Sequence, residues 1–121
     1  MIHDTDRKLR ILAVDDDPVA LLLYSRVLGD FLELETHETA ESALESFKAK
    51  PADILLLDWL LPGMDGLELA ARIRNLPDTN DVQILVVTGR DESDSLEQAL
   101  HAGANDYLEK PVSPQLLLQV L

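Results

Sequence analysis

Short apolar runs alternate with amphipathic segments along the chain, and this alternation predicts the order of its elements. The runs at 9–14, 54–57 and 82–87 are largely apolar, which is typical of strands that are covered on both faces. Residues 33–37 form a weaker strand, and the stretch NDYLEKP holds a short last one. Apolar residues at helical spacing follow each strand. The pattern therefore predicts five strand–helix units, which is typical of a parallel sheet with helices on both faces.

Capping residues predict where four of the helices begin. The N-cap signals are Asp17 with Pro18, Thr39, Asp65, and Ser113 with Pro114. In the first helix, Val19, Leu22, Leu23 and Val27 recur at helical spacing, and Gly29 is a plausible stop.

The length and composition of the chain indicate one ordinary globular domain over residues 1–121, with a flexible tail at 1–8. The chain is 46% hydrophobic and 27% charged, and it contains no cysteine, which excludes disulfides and zinc–thiolate sites. The formal net charge of −13 argues against direct contact with nucleic acid or an anionic membrane, since phosphate contacts need clustered basic residues.

The two ends of the chain give weaker indications. The N-terminus, MIHDTDRK, is polar and unlike a signal peptide, and no apolar run approaches membrane-spanning length, so a cytoplasmic protein is expected. The last residues, LLLQVL, lie within an apolar helical stretch without a stop signal. We therefore expect the N-terminal domain of a longer protein, although a single domain with a short last helix is an alternative.

Acidic residues gather where the predicted strands end. Asp15, Asp16 and Asp17 follow the first strand and Asp58 follows the third, while Thr88 and Lys110 close the fourth and fifth. Because ligands of open parallel sheets bind beyond the carboxyl ends of the strands, these side chains are expected to share one site. Carboxylates and water suit Mg²⁺, with Mn²⁺ as an alternative, and an aspartate beside the metal can attack phosphorus.

These residues lie in four stretches that resemble the receiver domain of two-component response regulators. The stretches are ILAVDDDP, ADILLLDWLLPGMDG, ILVVTGR and GANDYLEKP. They occur in the order and spacing of the family, and the resemblance covers nearly the whole chain. It implies a flavodoxin-like, doubly wound (βα)5 fold with a five-stranded parallel sheet in the order 2-1-3-4-5.

The resemblance also implies the chemistry of the site. Asp58 would accept a phosphoryl group from a phosphohistidine of a histidine kinase or a histidine phosphotransfer protein. Asp16 and Asp58 would ligate Mg²⁺ directly with the main-chain carbonyl of Leu60, and Asp15 would act mainly through a metal-bound water. Since Leu60 cannot position water by hydrogen bonding, we expect slow self-dephosphorylation, which Arg90 would also tune.

A conformational switch is the further implication of the resemblance. Thr88 would reach a phosphoryl oxygen, Lys110 would pair with the acceptor and then the phosphate, and Tyr107 would turn inward. The Lys110–Pro111 bond would be cis. The surface over the fourth helix, fifth strand and fifth helix would then contact an output domain, an effector protein or a second copy of the chain.

Other interpretations of the same residues stay open at this point. Asp17 is better explained as a helix cap, and Tyr107 is equally consistent with packing on a last strand. A Mg²⁺-dependent phosphohydrolase would need an acid two residues beyond Asp58, where Leu60 stands. A flavin-binding domain would need a phosphate loop rich in donors, where this chain has three carboxylates. A receiver-like module used only for protein interaction is the remaining alternative.

Overall fold

One five-stranded parallel sheet forms the centre of the molecule. The computed structural model describes residues 9–89 and 95–113, together with 116, 117 and 119. The strands are β1 (Arg10–Val14), β2 (Glu33–His37), β3 (Ile54–Asp58), β4 (Gln83–Thr88) and β5 (Asp106–Glu109). Their order is β2-β1-β3-β4-β5 and all pairings are parallel, as predicted.

Four helices connect the strands. They are α1 (Pro18–Leu28), α2 (Ala40–Ala49), α3 (Gly66–Arg74) and α4 (Ser95–His101). The predicted caps are confirmed for α1, α2 and α3, since the side chains of Asp17, Thr39 and Asp65 accept hydrogen bonds from first-turn amides. The tail at 1–8 and Pro114 lie outside the described residues. Beyond Ser113, Leu116, Leu117 and Gln119 are helical, and Leu117 is buried.

The core has two layers because successive residues of each strand point to opposite faces of the sheet. Leu12, Leu55 and Ile84 pack with α2 and α3 on one face. Ile11 and Leu56 belong to the opposite layer, which contains the buried residues of α1 and Leu117. Helices therefore cover both faces of the sheet.

The face of helix α1 that packs on the sheet differs from the face that the sequence predicted from the spacing of its apolar residues. Leu21, Tyr24 and Leu28 are buried, whereas Val19 is 70% exposed and Leu22 55% exposed. Seven of the eleven residues in the helix are Val, Ala or Leu, so several stripes satisfy the same spacing. Packing against the sheet selects among them, and it leaves an apolar stripe in contact with solvent.

A polar network of Arg10, Glu35, His37 and Ser46 joins β1, β2 and α2. Arg10 Nη2 donates to Glu35 Oε1 at 2.8 Å, and His37 Nε2 lies 2.5 Å from Glu35 Oε2. The hydroxyl of Ser46 donates to the same Glu35 oxygen. The Ser46 hydrogen bond first, and then those of His37 and Arg10, lower the pKa of Glu35 to about 2. The charge of this half-buried carboxylate is therefore well compensated.

No helix within the described part of the chain is long and apolar enough to cross a membrane.

Candidate functional site

The carboxyl ends of four strands bring the predicted site residues to one edge of the sheet. Asp15 directly follows β1, Asp58 is the last residue of β3, Thr88 is the last residue of β4, and Lys110 directly follows β5. Since β1, β3, β4 and β5 are parallel neighbours, their ends lie side by side.

Three carboxylates converge there, and we call Asp15, Asp16 and Asp58 the acidic cluster. One oxygen from each lies within 4.8 Å of the others. Asp15 is fully buried and Asp58 is 6% exposed, whereas Asp16 lies exposed at the rim. Lys110 reaches into the cluster, with Nζ 3.1 Å from Asp15 Oδ2 and 3.3 Å from Asp58 Oδ2. Lys110 and the three aspartates therefore lie as close together as the sequence predicts for a shared site.

The single lysine does not neutralise the acidic cluster. Burial, followed by the negative charge of Asp15, raises the pKa of Asp58 to about 6, although Lys110 acts in the opposite direction. Burial also acts to lower the pKa of Lys110, but its close contacts with Asp15 and then with Asp58 raise that pKa overall. The lysine is held in its charged form, but its one positive charge is shared between Asp15 and Asp58.

The donor atoms of the acidic cluster fit a magnesium ion. Asp15 Oδ1 accepts a hydrogen bond from the amide of Asp17 at 2.9 Å. The other oxygen, Oδ2, forms its ion pair with Lys110 without hydrogen-bond geometry, and no described residue donates a hydrogen bond to it. A buried carboxylate oxygen without a donor, beside two further carboxylates, suits a hard cation with oxygen ligands.

Residues 59–65 connect the end of β3 to α3, and we call them the acceptor loop because they follow Asp58, the acceptor predicted from the sequence. Its first residue is tied at both backbone groups, because Trp59 N donates to Val87 O at 2.8 Å and Trp59 O accepts from Gly66 N at 2.9 Å. A Cβ on Gly66 would lie 2.2 Å from the carbonyl oxygen of Asp58, so only glycine fits there. Leu60 is 62% exposed beside the acidic cluster.

The predicted switch residues lie on β4 and β5, the two strands that follow β3 in the sheet order. Thr88 is buried, and its carbonyl accepts from the amide of Lys110 at 2.7 Å. Tyr107 is half-buried against the core on the α2–α3 face of the sheet and pairs with Val86 of β4. The Lys110–Pro111 peptide bond is cis, as the resemblance implies. Arg90 lies outside the described residues.

Two residues near the site were missed by the sequence analysis. Tyr24 of α1 is buried and lines a groove of about 340 Å³ together with Lys110 and Pro111. Burial first, and then the charge of Asp15, raise the pKa of Tyr24 to about 12. Glu41 of α2 accepts a hydrogen bond from the acceptor loop, at the amide of Met64. The spacing of Tyr24 from Leu21 and Leu28 was a usable signal, whereas nothing in the sequence indicated the contact of Glu41.

Comparison with known proteins gives a consistent result. The family model for the response regulator receiver domain matches residues 11–121. The chain is 38% identical over 115 residues to the cyclic di-GMP phosphodiesterase response regulator RpfG of Xanthomonas campestris, covering 93% of this chain and 30% of that protein. It is 37% identical over 110 residues to the phosphate regulon transcriptional regulatory protein PhoB of Pseudomonas aeruginosa, covering 89% of this chain and 48% of that protein.

A solved structure agrees with these sequence matches. The response regulator receiver domain protein of Methanospirillum hungatei superposes with a TM-score of 0.86 at 32% identity, covering 94% of this chain and 90% of that one. The chain spans less than half the length of the two curated relatives described above. It belongs to the response regulator receiver domains, the phosphoacceptor signalling domains of two-component systems.

Proposed function

We propose that Asp58 is the phosphoacceptor and that it takes a phosphoryl group from a phosphohistidine. One Asp58 oxygen attacks phosphorus, the phosphorus–nitrogen bond breaks, and the imidazole nitrogen keeps the electron pair and takes up a proton. The observation that carries the proposal is the position of this carboxylate, buried beside Asp15 and Asp16, with Lys110 Nζ at 3.3 Å.

The residues of the acidic cluster would hold Mg²⁺ together with the main-chain carbonyl of Leu60, and Mn²⁺ suits the same oxygen ligands. When bound, the ion supplies positive charge to the transferring phosphoryl group. Asp16 and Asp58 would bind directly, and Asp15 mainly through a water. The raised pKa of Asp58 supports this assignment, because it reflects burial first and then the negative charge of Asp15, which Lys110 only partly offsets.

Lys110, Thr88 and Tyr107 would convert the modification into a change of surface. Lys110 first pairs with Asp58 and then with the phosphate, and the Thr88 hydroxyl donates a hydrogen bond to a phosphoryl oxygen. Movement of Thr88 leaves room for Tyr107 to turn inward, which biases a two-state surface over α4, β5 and the predicted final helix. Two exposed leucines of α4, Leu96 and Leu100, supply apolar area on that surface.

The exposed stripe of α1 is the proposed docking surface for the phosphodonor. Val19, Leu22 and Leu23 are 70%, 55% and 42% exposed, and they lie on the helix that Asp17 caps, directly after two members of the acidic cluster. Exposed apolar area of this kind is typical of protein-binding surfaces. A histidine kinase or histidine phosphotransfer protein that covers it would present its phosphohistidine to Asp58.

The proposal extends beyond this chain to the protein that contains it. We infer that residues 1–121 form the N-terminal domain of a longer cytoplasmic protein, and that the switch surface controls an output domain, an effector or a homodimer formed on activation. The observation that supports this inference is that the chain covers only 30% and 48% of the length of the two curated relatives described above.

Intact-mass measurement after incubation with a small phosphodonor and Mg²⁺ tests the acceptor. The wild-type chain should gain one phosphoryl group, and Asp58→Asn should gain none. Asp17→Asn is the matched control, because asparagine caps a helix as well as aspartate does, and it should be modified like the wild type.

Phosphorylation of Asp58→Asn to the wild-type extent would overturn the assignment of Asp58. Modification of the wild-type chain that proceeds equally well after all divalent cations have been chelated would overturn the proposed role of Mg²⁺. Turnover of a phosphomonoester without accumulation of modified chain would instead favour the phosphohydrolase alternative.

A further inference from the structure

Glu41, which lies outside the acidic cluster, contacts the backbone of the acceptor loop through its carboxylate. Glu41 lies in the first turn of α2, and its Oε2 accepts a hydrogen bond from the amide of Met64 at 3.1 Å. The same oxygen lies 2.7 Å from the position that a Cβ on Gly63 would occupy. Gly63 also has φ +74°, a conformation that favours glycine. The loop backbone therefore passes directly over this carboxylate.

The acceptor loop has few other backbone attachments in its middle. Trp59 is tied at both backbone groups to β4 and α3, and Asp65 caps α3, so the two ends of the loop are fixed. Between them, Leu60 and Pro62 are exposed and only Leu61 is buried. Among the described contacts, the hydrogen bond from the Met64 amide to Glu41 ties this middle part to another element.

We propose that Glu41 is a positioning residue for the metal site, acting through the Met64 amide on the path of the acceptor loop. The inference rests on the proposed function, in which the main-chain carbonyl of Leu60 is one of the ligands. Mg²⁺ requires near-ideal octahedral geometry, so the site depends on where the backbone holds that carbonyl. Glu41 never touches the ion or the phosphoryl group in this role.

The surroundings of Glu41 suit an anchor. It extends from a helix whose start is fixed by the Thr39 cap, so its own backbone is well ordered. The backbone hydrogen bond from Met64 lowers the pKa of the Glu41 carboxyl, as expected when the ionised carboxylate accepts that bond. A glutamate in a first helical turn is also favoured by the helix dipole, so a purely local role is the competing explanation.

Three variants separate the two explanations. Glu41→Ala removes the oxygen that accepts the hydrogen bond from Met64, whereas Glu41→Gln keeps such an oxygen and removes the negative charge. Glu45→Ala is the matched control, because Glu45 lies one turn further along α2, is 76% exposed and pairs only with Lys48 at 3.6 Å among the described contacts. Each is compared with the 121-residue wild-type chain.

The first readout is amide hydrogen exchange in the absence of divalent cations. In Glu41→Ala, the Met64 amide should exchange its hydrogen about threefold to tenfold faster than in the wild type. This range corresponds to the loss of one hydrogen bond. Glu41→Gln should remain within about twofold of the wild type if the acceptor oxygen is what matters. Glu45→Ala should leave the Met64 amide unchanged.

The second readout is the dissociation constant for Mg²⁺, followed by fluorescence of Trp59, the only tryptophan, which directly follows Asp58. Glu41→Ala should raise this constant by about threefold to tenfold, and Glu41→Gln should restore it to near the wild-type value. Unchanged Mg²⁺ affinity in Glu41→Ala would overturn the proposal. Equal losses in Glu41→Ala and Glu41→Gln would also overturn it, in favour of a charge or dipole effect.

The two proposals fail in distinguishable ways. If Asp58 is not the acceptor, Asp58→Asn is still phosphorylated while the exchange of Met64 responds to Glu41→Ala as described. If Glu41 does not position the loop, Asp58→Asn loses phosphorylation as expected. The exchange rate of the Met64 amide and the dissociation constant for Mg²⁺ are then the same in Glu41→Ala as in the wild type.

Discussion

The polar network and the acidic cluster are two groups of charged side chains on the same sheet, and they are balanced in opposite ways. In the polar network, Glu35 has hydrogen-bond partners in Ser46, His37 and Arg10, and its pKa falls to about 2. In the acidic cluster, Asp58 shares one lysine with Asp15, and its pKa rises to about 6.

Hydrogen-bond and charge partners decide the protonation state of these carboxylates as much as burial does. Glu35 is the more exposed of the two, yet each of its oxygens is matched by donors within the chain. Asp58 is 6% exposed, and burial together with a like charge dominates its environment. The first group stabilises the fold by itself, whereas the second is a buried excess of negative charge that a cation would offset.

The largest expected effect is the loss of the arginine in the polar network. Arg10→Met should lower the free energy of unfolding by about 2–3 kcal/mol, because the mostly buried guanidinium is then lost and Glu35 keeps a charge with fewer donors. Urea denaturation measures this. Arg72→Met is the control, since its pair with Glu68 is more than half exposed, and it should cost about 0.5 kcal/mol or less. Equal losses in the two variants would contradict the assigned role of the network.

The acidic cluster should respond in the opposite direction. In the absence of Mg²⁺ at about pH 7, Asp58→Asn should raise the free energy of unfolding by about 1–2 kcal/mol. The reason is that the substitution removes the negative charge of a buried carboxyl group whose pKa is raised by folding. The folded pKa of about 6 exceeds the reference value of 3.8, so the penalty is full above pH 6 and disappears as pH falls towards 3.8. The gain of the variant should therefore vanish near pH 4 in urea titrations. A destabilised Asp58→Asn at neutral pH would refute this account.

The pH dependence of Glu35 sharpens the contrast. Its pKa is lowered from 4.5 to about 2, so its stabilisation is complete above pH 4.5 and is lost as pH falls through 2. Glu35→Gln should cost about 1 kcal/mol at neutral pH, a value reduced because about a third of the side chain is exposed to solvent. The gap between variant and wild type should close in urea titrations between these two pH values. A constant gap across that range would show that charge is not responsible.

The smallest effect concerns the exposed leucine beside the acidic cluster. Leu60→Asn should shorten the half-life of the aspartyl phosphate several-fold, because an amide can position water for attack by hydrogen bonding, which Leu60 cannot do. Leu60→Met is the apolar control and should match the wild type. Loss of phosphate is followed by intact mass after the donor is removed, and equal half-lives in all three chains would exclude a role for this position.

Much of the site could be predicted because parallel strands end at one edge. An apolar run followed by aspartate, threonine or lysine was enough to place Asp15, Asp58, Thr88 and Lys110 together. The caps of three helices were equally visible, since each depends on residues adjacent in sequence.

The remaining features depend on packing that sequence does not encode locally. The buried face of α1 could not be chosen, because several apolar stripes fit its sequence equally well. Strand β2 looked weak because its sequence, ELETH, is mostly polar, and the structure shows why: Glu35 and His37 belong to the polar network. The anchor at Glu41 arises only when α2 docks beside the acceptor loop.

The contact between backbones at Gly66 sets a limit on engineering. Helix α3 begins where the carbonyl oxygen of Asp58 leaves no space for even a methyl group, so α3 and the end of β3 meet without an intervening side chain. A reporter group for a biosensor can be attached at an exposed position away from the site, such as Glu45, whereas position 66 has to remain glycine.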